Sequence, residues 1–409
     1  MSITKLNKIL TDSVTDLKTK GSAKGNEMVI TGMKPATSEK SVRYFVEGYG
    51  DKEFVKMNSN SYLGMSLHPE VIKAEEEATR EFGVGPGAVR FISGTYKHHI
   101  ELEEKLAKFH GKESGMIFSS AYVTSLGVLM PLATNETVYI SDELNHNCII
   151  QAMRLSRPLG KAVYKHNDMA DLEAKIQEWA GKAKRALVVT DGIFSMRGDN
   201  APLKEFAELC EKYDDQFEEG LISIIDDSHG VGGFGPTGRG TEEYCGANVN
   251  VIIGTLGKGF GVNGGYVVTS KAITEYLRQT APMYIYSNPV TVGETAAALK
   301  ALEILDSHEG LKLLKHLREM TKRFEAGLHT NGYETIAGDH PVVPLMVRDT
   351  PKTADMVKFL TEHGVLATGL NFPVVPKGAE EIRFQVNGNH TVADIDYVID
   401  VLKQYKDTH

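Results

Sequence analysis

Residues 221–230 read LISIIDDSHG, and residues 249–258 read VNVIIGTLGK. Each is a short β-branched run that stops at polar side chains able to do chemistry. Similar runs (MIFSS, TVYIS, AVYKH, ALVVTDG and GYVVTS) lie around them, separated by helix-like stretches such as DLEAKIQEWAGKA and LKEFAELCEKY. Apolar strands alternating with amphipathic helices predict βαβ units and a mostly parallel sheet covered on both faces. The fold class is α/β.

Working outward, HPEVIKAEEEATREFG reads as a helix with Pro69 in its first turn and Gly83 as its stop. IELEEKLAKFHG, from Ile100, spaces Leu102, Leu106 and Phe109 along one helix face. Roughly the first 45 residues predict a charged helix and then an irregular polar segment, an arm rather than a domain. After the strands, one long helix is expected from about Thr291 to Leu317 or onward to Leu328. PVVPLMVR, TADMVKFLTEHG, EIRFQV and DIDYVIDVLKQY then alternate strand and helix in a smaller unit. The expected organisation is an N-terminal arm over 1–57, a large domain over 58–300 and a small C-terminal α/β domain over 301–409. The arm is free to complete the small domain.

Composition removes several function classes. Of 409 residues, 41% are hydrophobic and 24% charged, which suits a globular chain with a large core. A net charge of −9 argues against nucleic acid or an anionic membrane as partner. Cys148, Cys210 and Cys245 form no CxxC or Cys/His cluster, so neither a disulfide framework nor a zinc site is expected. That usage suits a reducing cytoplasm. No stretch has the apolar length of a signal peptide or a membrane span.

Ligands of open parallel sheets gather at the carboxyl ends of the strands. Asp226, Asp227, Ser228 and His229 follow one run, Asp191 and Ser195 another, Asp142, Asn145 and His146 a third, and Thr255 and Lys258 a fourth. Gly230, Gly232 and Gly235 match GxGxxG, but DDSH precedes them and GPTGRG follows, so no helix opens there to receive a dinucleotide. Lys258, within GTLGKGFGVNGG, reads either as a solvated loop lysine or as an amine poised for a carbonyl compound. An amine of the second kind calls for pyridoxal phosphate, which needs an acid partner at its ring nitrogen and a phosphate cradle. Asp226 can supply the first. FSSAYVTSLG can supply the second, with Ala121 and Tyr122 opening a helix after Ser119 and Ser120, and Thr255 adding a hydroxyl. His146 can lie flat against the ring. Singly, Asp226 reads as a strand-end cap, Asp227 as solvated, His146 as structural and the serines as helix caps. Their coincidence at one sheet edge favours the cofactor.

With these segments in order (NSYLG, VRFISGT, FSSAYV, SDELNH, DGIFSMRGD, DDSHGVG, GTLGK, YSNPV, VVPKG and IRFQVNGNHT), the chain resembles the α-oxoamine synthase family of fold-type I pyridoxal-phosphate enzymes. The resemblance runs from about residue 58 to the carboxyl terminus. RFISGT, DGIFSM, RGTEEYC and NFPVVPKG are closest to the branch that acylates glycine. It implies an aspartate-aminotransferase-like fold, a homodimer with active sites at the interface, and condensation of glycine with a short acyl-CoA such as acetyl-CoA. Lys258 would be the Schiff-base lysine and catalytic base, Asp226 the partner of the ring nitrogen, and His146 the ring-stacking residue. His229 and Ser195 would bond the ring oxygen, and His229 would also support a developing oxyanion. Ala121, Tyr122 and Thr255 would hold the phosphate, with Ser287 reaching it from the second subunit. Asn60 and Arg383 would bind the amino acid's carboxylate. The sequence departs from the family in a shorter glycine loop after Lys258, in Glu381 where a basic residue is commoner, and in an acidic EKYDDQFEEG segment. The rivals are a decarboxylating synthase acting on another amino acid and thioester, an aminotransferase or lyase on the same fold, and a noncatalytic relative.

Overall fold

The computed structural model describes residues 3–20, 23, 27–372 and 374–409. Parts of the expected arm (1–2, 21–22 and 24–26) and Pro373 of NFPVVPKG lie outside the described residues. At the centre is a seven-stranded sheet formed by β1 (Ser114–Phe118), β2 (Thr137–Asp142), β3 (Gly160–Tyr164), β4 (Arg185–Asp191), β5 (Leu221–Asp226), β6 (Val251–Thr255) and β7 (Gly265–Thr269). The strands lie in the order β1-β7-β6-β5-β4-β2-β3. Alternate side chains feed two cores. Ile140, Val188, Ile225 and Ile252 enter the larger one, while Tyr139, Val189, Ile224 and Ile253 enter the other. Both faces of the strands are therefore dry, which is why the runs read as continuously apolar. Each such side chain, fully buried, contributes on the order of 1.5–3 kcal/mol before chain entropy is counted.

One strand departs from the parallel expectation. GYVVTS forms β7, which runs antiparallel to both β6 and β1. Only residues 256–264 join β6 to β7. A parallel return needs a crossover of a dozen or more residues, so this short link can only turn back. The consequence matters for the site. The amino end of β7 lies at the same sheet edge as the carboxyl ends of its neighbours.

The arm holds the expected helix (Thr4–Thr19), but the segment after it is not irregular. Ile30–Lys34 pairs antiparallel with Arg43–Val46. The residues of the first strand are exposed or half-exposed on both faces, so no hydrophobic alternation marks it in the sequence. Val55–Lys56 pairs with Val365–Leu366, and Arg43 bonds Asp394, which caps the last helix. The arm is thereby tied to the carboxyl-terminal part of the chain.

The helix expected over Thr291–Leu328 is two helices, Val292–Leu305 and His308–Thr330. Ser307 breaks it by capping the second, its hydroxyl accepting from the Glu309 amide. The carboxyl-terminal sheet sets Glu381–Gln385 between Val342–Met346 and Thr368–Leu370, antiparallel to each. Ile382 and Phe384 are buried on one face of the middle strand, leaving Glu381, Arg383 and Gln385 on the other. No helix among the described residues is long and apolar enough to cross a membrane.

Candidate active site

Ala121, Tyr122, His146, Ser195, Asp226, His229 and Lys258 line one cavity, at the edge where β1, β2, β4, β5 and β6 end. The glycines around Lys258 are there for close approach. A Cβ on Gly259 would lie 2.7 Å from the backbone of Gly232 and from Val231 O, so the lysine loop packs backbone to backbone on the turn after β5. Val231 is fully buried there, and Phe260 nearly so. The solvated-loop reading of Lys258 does not describe this geometry.

Burial pulls the Lys258 amine down to about 8, against the opposing pull of Asp226 and Asp191, with Arg383 adding to the fall. Asp226 Oδ2 accepts from Ser125 Oγ at 3.0 Å and from the Cys148 thiol at 3.6 Å, and its Oδ1 accepts from the Ser228 amide at 3.1 Å. The carboxylate is thus fixed while still facing the cavity. His146 begins the helix Asn147–Leu155, its Nδ1 accepting from the Cys148 amide at 3.3 Å. It is a structural cap and a cavity wall at once. Burial and then Lys258 lower the pKa of His146, with Asp226 opposing. Burial and then Lys258, His340 and Arg383 hold His229 well below its usual value. Both rings are neutral near pH 7.

Do these residues fit pyridoxal phosphate? The helix Ala121–Leu132 aims its first turn at the cavity, with Ser120 as its cap. It comes close because β7 begins with glycine: a Cβ on Gly265 would lie 2.4 Å from the Ala121 nitrogen. A helix amino terminus with free amides is an anion site. Ser228 Oγ and Asp191 Oδ1, both buried, find no partner among the described residues. Buried polar atoms of this kind call for a partner, whether an ordered water, an ion or a ligand. An anion cradle, a carboxylate, a depressed amine and waiting polar atoms suit the cofactor.

Other expected residues are placed less directly. Thr255 Oγ1 accepts from the Gly257 amide at 3.1 Å and donates to Gly264 O at 3.3 Å, so its hydroxyl serves the turn in this arrangement. Arg383 donates from one terminal nitrogen to Ser195 O at 3.0 Å and from the other to Asn60 Oδ1 at 3.5 Å, while its buried Nε has no partner among the described residues. Asn60 and Arg383 are thus brought together beside the cavity. Ser287 is not among the residues that line it; its hydroxyl donates to Asn288 O at 3.4 Å, beside the 79% exposed Tyr286. Asp227, read as solvated, is fully buried. It accepts from the amide and hydroxyl of Thr241 and so fixes the helix Thr241–Cys245 under the turn. The Gly230, Gly232 and Gly235 match is part of that turn, with no helix opening on it. Sequence reasoning also passed over Ser125, Cys148 and His340, whose contacts with Asp226 and His229 join residues far apart in the chain. Among the described residues no cluster of side chains could hold a metal ion.

Known proteins agree with this architecture. The model of the aminotransferase class I and II family matches residues 52–402. An 8-amino-7-oxononanoate synthase of Thermosipho melanesiensis is 37% identical over 92% of this chain and 93% of its own. A mitochondrial 2-amino-3-ketobutyrate coenzyme A ligase of Bos taurus is 36% identical over 100% of this chain and 94% of its own. Among solved structures, a serine palmitoyltransferase of Sphingomonas wittichii superposes with a TM-score of 0.88 at 25% identity, covering 100% of this chain and 98% of that one. The relatives divide between two named reactions, and no single branch stands out. The chain belongs to the class I and II aminotransferase family and, within it, to the α-oxoamine synthases: it is a pyridoxal-phosphate-dependent acyltransferase of fold type I.

Proposed function

We propose that this enzyme condenses glycine with a short acyl-CoA, acetyl-CoA foremost, releasing CoA and an α-amino-β-keto acid. The observation that carries the amino-acid half is a pair of groups. A lysine amine whose pKa is brought down to about 8 lines the cavity beside a half-buried arginine whose Nε has no partner among the described residues. A guanidinium fork matches a carboxylate, and a neutral amine is a base. The relatives named 2-amino-3-ketobutyrate coenzyme A ligase support the short acyl group.

In this reading Lys258, Asp226, His146, Ser195, His229, Thr255 and the amides of Ala121 and Tyr122 hold the cofactor. Bound pyridoxal phosphate supplies an electron sink for negative charge at the amino acid's α-carbon. Arg383 and Asn60 grip the carboxylate and so orient the α C–H bond. Lys258 Nζ takes the α-proton; with a pKa of about 8 it is partly neutral at physiological pH and regains its proton-accepting form readily. As the thioester carbonyl is attacked, neutral His229 gives a hydrogen bond to the oxygen where charge builds. CoA leaves as a thiolate. Ser287, apart from its own cavity and beside an exposed tyrosine, supports a homodimer in which it serves the neighbouring site. Cys148, Cys210 and Cys245 are free, which suits a reducing cytoplasm.

The test is CoA thiol release from holoenzyme supplied with glycine and acetyl-CoA. Release that requires both substrates is expected. Release only from alanine with a longer thioester would transfer the reading to the decarboxylating synthases, and turnover of amino acids with no thioester would make it an aminotransferase or lyase.

A further inference from the structure

Tyr62, in NSYLG, takes no part in the function proposed above, yet it touches the catalytic centre. Its side chain is fully buried, and its Oη lies 2.6 Å from His229 Nδ1. The ring stands edge-on to His340, with centroids 5.2 Å apart at 81°. Burial drives the phenol well above its usual pKa and the imidazole well below its own, so neither partner is charged.

Two neutral groups at this distance share one hydrogen bond, and the proton can lie either way. Were Nδ1–H the donor, the phenol hydrogen would need another acceptor. Asn60 Oδ1 is 3.5 Å away, the far limit of a hydrogen bond, and is already contacted by Arg383. The Gln385 amide also reaches the phenol, but in the orientation that satisfies its neighbours its oxygen already accepts from Arg383. A phenol hydrogen sent to either would share an occupied acceptor, which is unfavourable in a buried site. The phenol therefore donates to Nδ1, and the imidazole hydrogen sits on Nε2. His340 fixes the backbone of the same residue. Its Nδ1 accepts from the Val342 amide at 3.1 Å, which leaves Nε2–H to donate to His229 O at 2.9 Å. One neighbour holds the main chain of His229 and the other its ring.

We infer that Tyr62 is a positioning residue that locks His229 in the Nε2–H tautomer, so that a hydrogen-bond donor faces the cavity. The inference rests on the proposed acyl transfer for its kinetic consequence alone. Without the phenol, the ring is free to present a bare nitrogen, whose lone pair repels the oxygen it should stabilise.

The experiment is nitrogen NMR on holoenzyme labelled with ¹⁵N-histidine, with His229→Gln used to assign the resonances. In the wild type we expect His229 with a protonated Nε2 and a hydrogen-bonded bare Nδ1. In Tyr62→Phe, which keeps the packed ring, both nitrogens move towards averaged tautomers. There kcat falls by about ten- to a hundredfold while KM for glycine stays within about twofold, because the arginine grip is intact. A purely packing role would leave the nitrogen resonances of the folded variant unmoved. A wild-type proton on Nδ1 overturns the inference even if the variant does not fold. So does a folded Tyr62→Phe with wild-type resonances or wild-type kcat. Absence of thiol release in the wild type refutes the acyl transfer instead, and the tautomer is still decided by the spectrum.

Discussion

His166 and His229 follow strands of one sheet edge, β3 and β5, and sit in opposite fields. His166 has both ring nitrogens held by carboxylates, Asp142 Oδ1 and Asp199 Oδ2, each at 3.2 Å. Burial works against its charge, but those two bonds prevail and hold it up at about 9. His229 meets burial and then the positive side chains of Lys258 and Arg383, and is held neutral. The same residue type is thus an ionic brace at one end of the edge and a neutral hydrogen-bonding group at the other. What separates scaffold from chemistry here is the sign of the surrounding charge and whether the polar atoms already have partners.

The most forceful way to break the comparison is at Lys258. Lys258→Ala should cut turnover by at least about 10⁴-fold while leaving circular dichroism and melting close to wild type. Turnover within about a hundredfold of wild type would remove Lys258 as the base. Arg383→Lys keeps the charge but loses the fork, and KM for glycine should rise by roughly ten- to a hundredfold with a smaller loss in kcat. Steady-state kinetics decide it; an unchanged KM would place the carboxylate elsewhere.

The other end of the edge should respond in stability and not in rate. His166→Gln should leave kcat within about twofold and cost on the order of 2–3 kcal/mol in urea melts at pH 6. The sign follows from a folded pKa raised from 6.5 to about 9. The histidine's contribution is fully present below about 6.5 and is lost as pH rises through about 9. The gap between wild type and variant must therefore close between pH 6.5 and 10; a gap independent of pH would deny the ionic brace.

The smallest effect is expected at Glu381, a buried carboxyl whose Oε1 has no partner among the described residues, pushed up to about 7 by burial. The folded chain keeps this proton up to about pH 7, whereas an unfolded glutamate releases it near 4.5, so its ionisation erodes stability as pH rises through that window. Glu381→Gln should be stabilising by about 1–2 kcal/mol at pH 8 and neutral near pH 4.5. Equal melting of the two proteins at pH 8 would contradict the assignment.

Much of this was legible because one residue often reports one fact. β-branched runs ending in Asp191, Asp226 and Thr255 marked both the strands and the edge where ligands gather. Direction was less legible. β7 has the composition of a parallel strand, and only the shortness of residues 256–264 reverses it. The hairpin of Ile30–Lys34 has no buried face to leave a pattern, and Ser307 hid as an ordinary polar residue inside a helical period. Asp227 looked solvated because nothing local shows that Thr241 bonds it. Tyr62 and His229 are 167 residues apart, and no spacing rule connects them.

The central claim is that Lys258, between Asp226 and Arg383, moves the α-proton of the amino acid. The direct measurement is exchange of glycine's α-hydrogen in D₂O, followed by NMR with holoenzyme and no acyl-CoA. The account predicts stereoselective exchange by the wild type and none above background by Lys258→Ala. Exchange that persists in the variant, or is absent from the wild type when cofactor and glycine are both bound, would contradict it.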